Sequence, residues 1–337
     1  MAKTSIKIGI TIGDPAGIGP EVTLRALSEL GETGIIPIVI GRYEVLKQYY
    51  SDLLQGYRVI DSKHESLTDI TSNNRYIYNM DANYPIPTLG KGDIRTGIES
   101  KEYIDKSIGL LKSGFVDAIV TGPVNKGLIE KSGCHFMGHT EYIAEFIKEE
   151  DPYMLMYSEN YRVLLVSTHI PISDIHKCIT YDKLYRTILM GHKAISLIDG
   201  KDGKDVKLAI AGLDPHCGDG GAIGNFDIDV TERAVEIANA DGINIEGPFS
   251  ADTLFLPKRW KSYDLIIAHF HDQGLTPFKI LTFDSGVNVT LGLSIIRTSV
   301  AHGTAYDIAG KGIANCGSMK EAIKLAYRLT KNRVLKV

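Results

Sequence analysis

The sequence predicts an α/β protein built on mostly parallel sheet. Apolar runs rich in Val, Ile and Leu alternate with stretches of helical spacing along almost the whole chain, as successive βαβ units require. Several of those runs are apolar without a break, which reads as buried strand. At 337 residues, 44% hydrophobic and 23% charged, the chain is an ordinary globular one with room for one large or two medium domains.

The first strand is expected over Ile6 to Ile12. It ends in a tight turn, Gly13-Asp-Pro-Ala-Gly-Ile-Gly-Pro-Glu21, with Pro20 suited to the first turn of a helix over Val22 to Leu30. Gly34 to Gly41 is a second strand and Tyr43 to Leu54 a helix. Between residues 57 and 95 the signal weakens to β-like pieces at Tyr57 to Ile60 and Arg75 to Tyr78. A helix over Thr96 to Ser113 precedes a strand, Asp117 to Thr121, that ends in Gly122-Pro-Val-Asn-Lys126. Gly138-His-Thr140 opens an amphipathic helix, with Thr140 as its expected cap. Tyr153 to Tyr157 and Tyr161 to Ser167 pair as strands. Helices over Asp182 to Ile198 and from about Asp229 to Ala240 flank a strand at Lys207 to Leu213. Tyr263 to Ala268 and Val287 to Leu291 are strands, and Ser318 to Thr330 is a closing helix.

Composition narrows the function. A net charge of −4 with no long basic run points away from nucleic acid and anionic membranes. The four cysteines are scattered with no C-x-x-C pair, so neither a disulfide framework nor a cysteine zinc site is expected, and a reducing cytoplasm fits. The first residues lead into a strand rather than a signal peptide, and no apolar run approaches the roughly 20 residues that cross a bilayer.

Three histidines stand where apolar strands give out: His169, His216 and His271. Any one alone reads as a core or loop histidine. Three in the same position, at the edge where open α/β sheets bind ligands, read as a metal site. His269 and His271 alternate in direction if the strand persists, so one of them faces the site and spacing does not choose which. Asp252 and Asp272 are candidate carboxylate ligands. The Gly13 to Glu21 turn either cradles a phosphate with backbone N–H groups or only permits a sharp bend; it is not G-x-G-x-x-G. His139 and Thr140 at a helix start, Lys126 after a strand, and Arg297 after an apolar segment are candidate anion contacts.

These residues resemble a known family. The Gly13 to Glu21 turn, Gly138-His-Thr140, Ser167-Thr-His169, Pro215-His216, Gly247-Pro248 with Ala251-Asp-Thr253, and His271-Asp-Gln-Gly274 carry the resemblance. Gly286-Val-Asn288, Ile296-Arg-Thr-Ser299 and His302-Gly-Thr304 extend it over essentially the whole chain. All are similar to the 4-hydroxythreonine-4-phosphate dehydrogenases of pyridoxal phosphate biosynthesis. The resemblance implies a two-domain isocitrate/isopropylmalate dehydrogenase-like fold. Its expected outer domain is residues 1–135 with 280–337, around a central domain of residues 136–279. It implies a homodimer with the active site at the subunit interface and a small phosphorylated substrate. A divalent ion (Zn, Mg or Co) would be held by His169, His216 and His271, which selects His271 over His269. His139, Thr140, Lys279, Asn288 and Arg297 would bind substrate, Lys279 and Asp252 are the catalytic candidates, and the cofactor is NAD or NADP at residues not assigned.

One motif departs from the family, which reads Asn-Pro-His-Ala-Gly-Glu around the second metal histidine. Here Asp214, Cys217 and Asp219 replace its Asn, Ala and Glu. A related branch of the family oxidises threonate or erythronate 4-phosphate, four-carbon acid phosphates, and is the alternative reading. A non-catalytic metal- or phosphoester-binding protein is the alternative from another class.

Overall fold

A computed structural model describes residues 5–31, 34–61, 70, 74–149 and 151–335. The start of the chain, expected above to lead into a strand, lies outside them up to residue 4. Two compact units divide the chain, residues 1–150 with 293–337, and residues 151–292. Both crossings come later than the expected 136 and 280. The helix that His139 opens belongs to the first unit. The helix holding Lys279 runs on to Thr282, and the strand after it pairs back into the second unit.

The first unit begins β1 (Ile6–Thr11), α1 (Gly19–Glu29), β2 (Ile35–Gly41), α2 (Tyr43–Tyr50), β3 (Tyr57–Asp61) and β4 (Arg75–Asn79). It continues through α3 (Ile94–Lys112), β5 (Ala118–Thr121), α4 (Lys126–Lys131) and α5 (His139–Ile147). The second unit holds β6 (Tyr153–Tyr157), β7 (Arg162–Leu165), α6 (Ile175–Cys178), α7 (Tyr181–Asp199), β8 (Leu208–Ala211) and α8 (Arg233–Ala240). After β9 (Ile245–Phe249) come the short α9 (Ala251–Leu254) and α10 (Pro257–Trp260), then β10 (Leu265–Ala268), α11 (His271–Thr282) and β11 (Val287–Leu291). The chain returns to the first unit with β12 (Arg297–Val300) and α12 (Gly317–Leu335).

In the first unit the strands run in the order β3-β4-β2-β1-β5-β12, every pair parallel. β1, β2 and β5 are apolar and buried almost throughout, as strands covered on both faces are. α12 packs on β12, β5 and β1, and α3 on β1, β5 and β2. α3 starts at a capping box in which Asp93 accepts the Arg95 and Thr96 N–H groups and Thr96 answers the Asp93 N–H.

In the second unit the order is β11-β6-β7-β10-β8-β9. β6 pairs antiparallel with both β11 and β7, and the remaining pairs are parallel. Most important for function, β10 lies between β7 and β8 and runs with both, Ala268 opposite Leu165 and Ile267 opposite Ile210. Three strand ends therefore open on one edge of the sheet. No helix among the described residues is long and apolar enough to cross a membrane.

Candidate active site

The segments that follow β7, β10 and β8 carry His169, His271 and His216, His271 as the first residue of α11. Two of these imidazoles meet. The His169 and His271 rings lie 5.8 Å apart, centroid to centroid, at 40°. With Thr168, Ile170, Phe270 and Asp272 they line a cleft of about 230 Å³. Asp272 Oδ1 sits 2.6 Å from His271 Nδ1, which assigns the proton to Nδ1 and leaves Nε2 as an electron-pair donor. Two rings this close can share one ion, since each metal–nitrogen bond spans about 2.0–2.1 Å. Among the described residues no group of three His, Cys, Asp or Glu side chains is arranged to hold a metal. His216 stands exposed on the loop after β8.

His269 turns the other way. It is fully buried, its Nε2 3.3 Å from Thr231 Oγ1 and its ring edge-on to Phe226. Burial pulls its pKa down to about 4, so it is neutral at neutral pH. The alternation left open by spacing is resolved by the helix start: β10 ends at Ala268 and His271 is the first residue of α11.

The His216 loop is strained. His216, Cys217, Gly218, Asp219 and Gly220 take φ of 51°, 55°, 81°, 47° and 64°. The three that carry a Cβ each cost about 1–2 kcal/mol in this left-handed region. Asp227 holds the entrance, accepting the N–H groups of Leu213 at 3.0 Å and Asp214 at 2.9 Å. It also accepts the Thr231 hydroxyl at 2.7 Å. Here the expected helix from Asp229 begins instead as a π turn, Asp227–Glu232, before α8. Burial pushes the Cys217 thiol up to about 11, with the charges of Asp227, Glu232 and Asp252 adding, so it is not a thiolate nucleophile.

Asp252 is exposed, accepts the Ser250 hydroxyl at 2.7 Å, and is close enough for its charge to act on Cys217. Lys279 is exposed near the end of α11. Asn288, half-buried on β11, has a buried Oδ1 with no hydrogen-bond partner, an acceptor suited to a ligand's donor. None of these three lines the His169–His271 cleft.

The first unit assembles a separate polar cluster. Arg297 opens β12 and is 2% exposed. Its Nε and Nη2 donate to Thr121 Oγ1 at 3.1 and 2.7 Å, and its Nη1 to Thr140 Oγ1 at 3.4 Å. Thr140 is therefore not the expected cap. α5 begins two residues earlier, with Gly138 at its N-cap and no side-chain cap bond, and the threonine hydroxyl faces the guanidinium instead. His139 packs edge-on against Phe136, and its buried Nε2 has no hydrogen-bond partner. Burial drives the His139 pKa well below the usual imidazole value, and the charges of Arg297 and Lys126 push the same way. Burial lowers Arg297 to about 9, opposed by Glu141, so the guanidinium stays charged at neutral pH. The pattern reading missed Thr121. Its only signal was its place as the last residue of a strand, and its partner β12 is remote in sequence.

The glycine turn is pinned by bonds within the protein. Four of its N–H groups are used inside the protein: Asp14 on Pro123 O, Ala16 on Asp14 Oδ1, Gly17 on Asp14 O and Ile18 on Thr304 O. The buried Asp14 also accepts the hydroxyls of Thr96 and Tyr306, and burial raises its pKa.

Comparison with known proteins places the chain in a family. The model of the pyridoxal phosphate biosynthetic protein PdxA family matches residues 34–326. The chain is 36% identical over 329 residues to a 4-hydroxythreonine-4-phosphate dehydrogenase of Sulfurihydrogenibium, covering 97% of this chain and 99% of the relative. It is 38% identical to a Bradyrhizobium diazoefficiens protein named provisionally as a D-threonate 4-phosphate dehydrogenase, covering 97% of each. The crystal structure of 4-hydroxythreonine-4-phosphate dehydrogenase from Klebsiella pneumoniae superimposes with a TM-score of 0.80 at 31% identity, over 97% of this chain and 100% of that one. Isocitrate dehydrogenase from Methylococcus capsulatus, at 13% identity and a TM-score of 0.51, shares the fold. With a family match over most of its length and relatives aligned end to end, the chain belongs to the PdxA family.

Proposed function

We propose that this protein oxidises the 3-hydroxyl of 4-phosphohydroxy-L-threonine to 2-amino-3-oxo-4-phosphooxybutanoate, which decarboxylates to 3-amino-2-oxopropyl phosphate in pyridoxal phosphate biosynthesis. The observation that carries the reading is the His169–His271 pair in its cleft, with Asp272 orienting His271, in a chain matched along its length by dehydrogenases of that name. When bound, NAD or NADP would serve as hydride acceptor, and a divalent ion, Zn, Mg or Co, would supply Lewis-acid polarisation of the substrate oxygen. His169 and His271 would hold the ion with His216 as third ligand, one or more of them crossing from a partner subunit.

Lys279 handles the proton at the 3-oxygen or offsets charge that develops there, and Asp252 is the second titratable group. Arg297 binds the phosphate or the carboxylate through its planar fork. Thr140 and a neutral His139 add hydrogen bonds to the substrate, as does Asn288 through its unpartnered oxygen. Ile280 is 77% and Phe283 66% exposed on neighbouring turns at the end of α11, an apolar surface that supports a homodimer.

A second reading, oxidation of threonate or erythronate 4-phosphate, is favoured by the relative named for D-threonate 4-phosphate. The test is the absorbance of NADH or NADPH formed from each of the three phosphates in the presence of Zn, Mg or Co. The highest kcat/KM on 4-phosphohydroxythreonine is expected. A four-carbon acid phosphate ahead of it transfers the assignment to the second reading, and no reduction with any substrate leaves a non-catalytic binding protein.

A further inference from the structure

We propose that Gln273 is a positioning residue whose side-chain amide sets the spacing between the segment that carries His271 and the loop that carries His216. The proposal rests on the reading of those histidines as metal ligands.

The geometry centres on the peptide of His269. Its N–H donates to Gln273 Oε1 at 2.7 Å. Gln273 Nε2 in turn donates to the carbonyl of Gly212 at 2.7 Å. On its other side the His269 carbonyl accepts the Ser167 N–H at 3.0 Å and the Ser167 hydroxyl at 2.7 Å. Ser167 stands two residues before His169, His269 two before His271, and Gly212 four before His216. Four hydrogen bonds therefore tie all three histidine-bearing segments across the edge of β7, β10 and β8.

The amide is the only link in that chain made by a long side chain, and its chemistry is specific. A peptide N–H can only donate and a carbonyl can only accept, so the two partners demand an acceptor and a donor on one planar group. The orientation of the amide follows from those partners. The loop it anchors at Gly212 then enters the left-handed turn at His216, which would relax if its base moved. Every Å of that movement shifts His216 relative to His271.

A simpler role is available: Gln273 lies in the first turn of α11 and caps it by reaching back to a preceding N–H, as glutamine does in helix starts. Capping uses only Oε1. The bond from Nε2 to Gly212 contributes nothing to the helix, and this separates the two roles. Gln273→Glu keeps an acceptor for the His269 N–H but sets a carboxylate oxygen against the Gly212 carbonyl. Gln273→Asn keeps the amide but is too short to reach both partners.

The experiment is Co(II) binding to metal-free protein, by calorimetry and by the visible absorption of the bound ion, with thermal melts of the metal-free proteins alongside. For both Gln273 variants the expected result is Co(II) affinity about 10–100-fold weaker and an altered spectrum, with metal-free melting close to the parent's. His271→Ala is the control for the underlying reading. If His271→Ala loses Co(II) while Gln273→Glu binds it with parental affinity and spectrum, the positioning role is overturned and the metal site stands. If His271→Ala binds Co(II) as the parent does, both fall. Should Gln273→Glu not fold, Gln273→Asn decides. If neither folds, the tie serves the whole unit and the assignment to His216 is wrong.

Discussion

Arg297 is a cation taken almost wholly out of water and set against the hydroxyls of Thr121 and Thr140. A buried charge that pairs with a ligand's anion is worth about 2–5 kcal/mol when lost. Arg297→Met should therefore raise KM for the phosphorylated substrate by about 100-fold or more, with kcat changed less. Arg297→Lys keeps the charge but not the fork, and should fall between. Steady-state kinetics check this, and an unchanged KM in both variants would remove Arg297 from substrate binding.

His139 beside it makes a pH prediction. Its pKa is lowered on folding, so as pH falls below about 6.5 the unfolded chain takes up this proton before the folded one does. Stability from this residue is thus fully present above that pH and is lost on descending from it towards the folded pKa. Melting at pH 5.5 should lie below melting at pH 7.5, and His139→Gln should narrow the gap. Equal gaps in the two proteins would count against a neutral buried imidazole.

Elements are joined here by contacts too close for a side chain. A Cβ on Gly19, at the start of α1, would lie 1.9 Å from Ile12 O. One on Gly13, whose φ is +69°, would lie 2.2 Å from Pro123 O. The glycine turn after β1 is glycine-rich because β1, α1 and the segment after β5 meet there, and four of its N–H donors are already used. Gly13→Ala or Gly19→Ala should cost about 3 kcal/mol or prevent folding. Urea unfolding reads this directly, and a parental midpoint would overturn the packing role of these glycines. α5 teaches the same lesson from the opposite side. Thr140 carried a cap signature, yet its hydroxyl serves Arg297, because a cap pattern records only the local chain and not a guanidinium 157 residues away.

At the scale of the molecule, the apolar end of α11 makes the prediction. On the proposed homodimer, Ile280→Glu combined with Phe283→Glu is expected to give a monomer in sedimentation analysis, with activity falling if the site is shared. A monomeric parent protein of full activity would overturn the shared site.

The sequence by itself determined the alternation of strands and helices and the placing of three histidines at strand ends. Both are local properties: the period of apolar side chains records which face is buried, and a strand's end is marked where its apolar run stops. Family resemblance then singled out His271. Only the tertiary structure decided that β10 inserts between β7 and β8, that His269 turns into the core while His271 joins His169, and that Gln273 and Asp227 hold the loop base before His216. It also moved the crossings between units to residues 150 and 293. The physical reason is the same in each case. A polar group's partner is set by which distant segment the fold brings within hydrogen-bond reach, and no period along the chain encodes that neighbour.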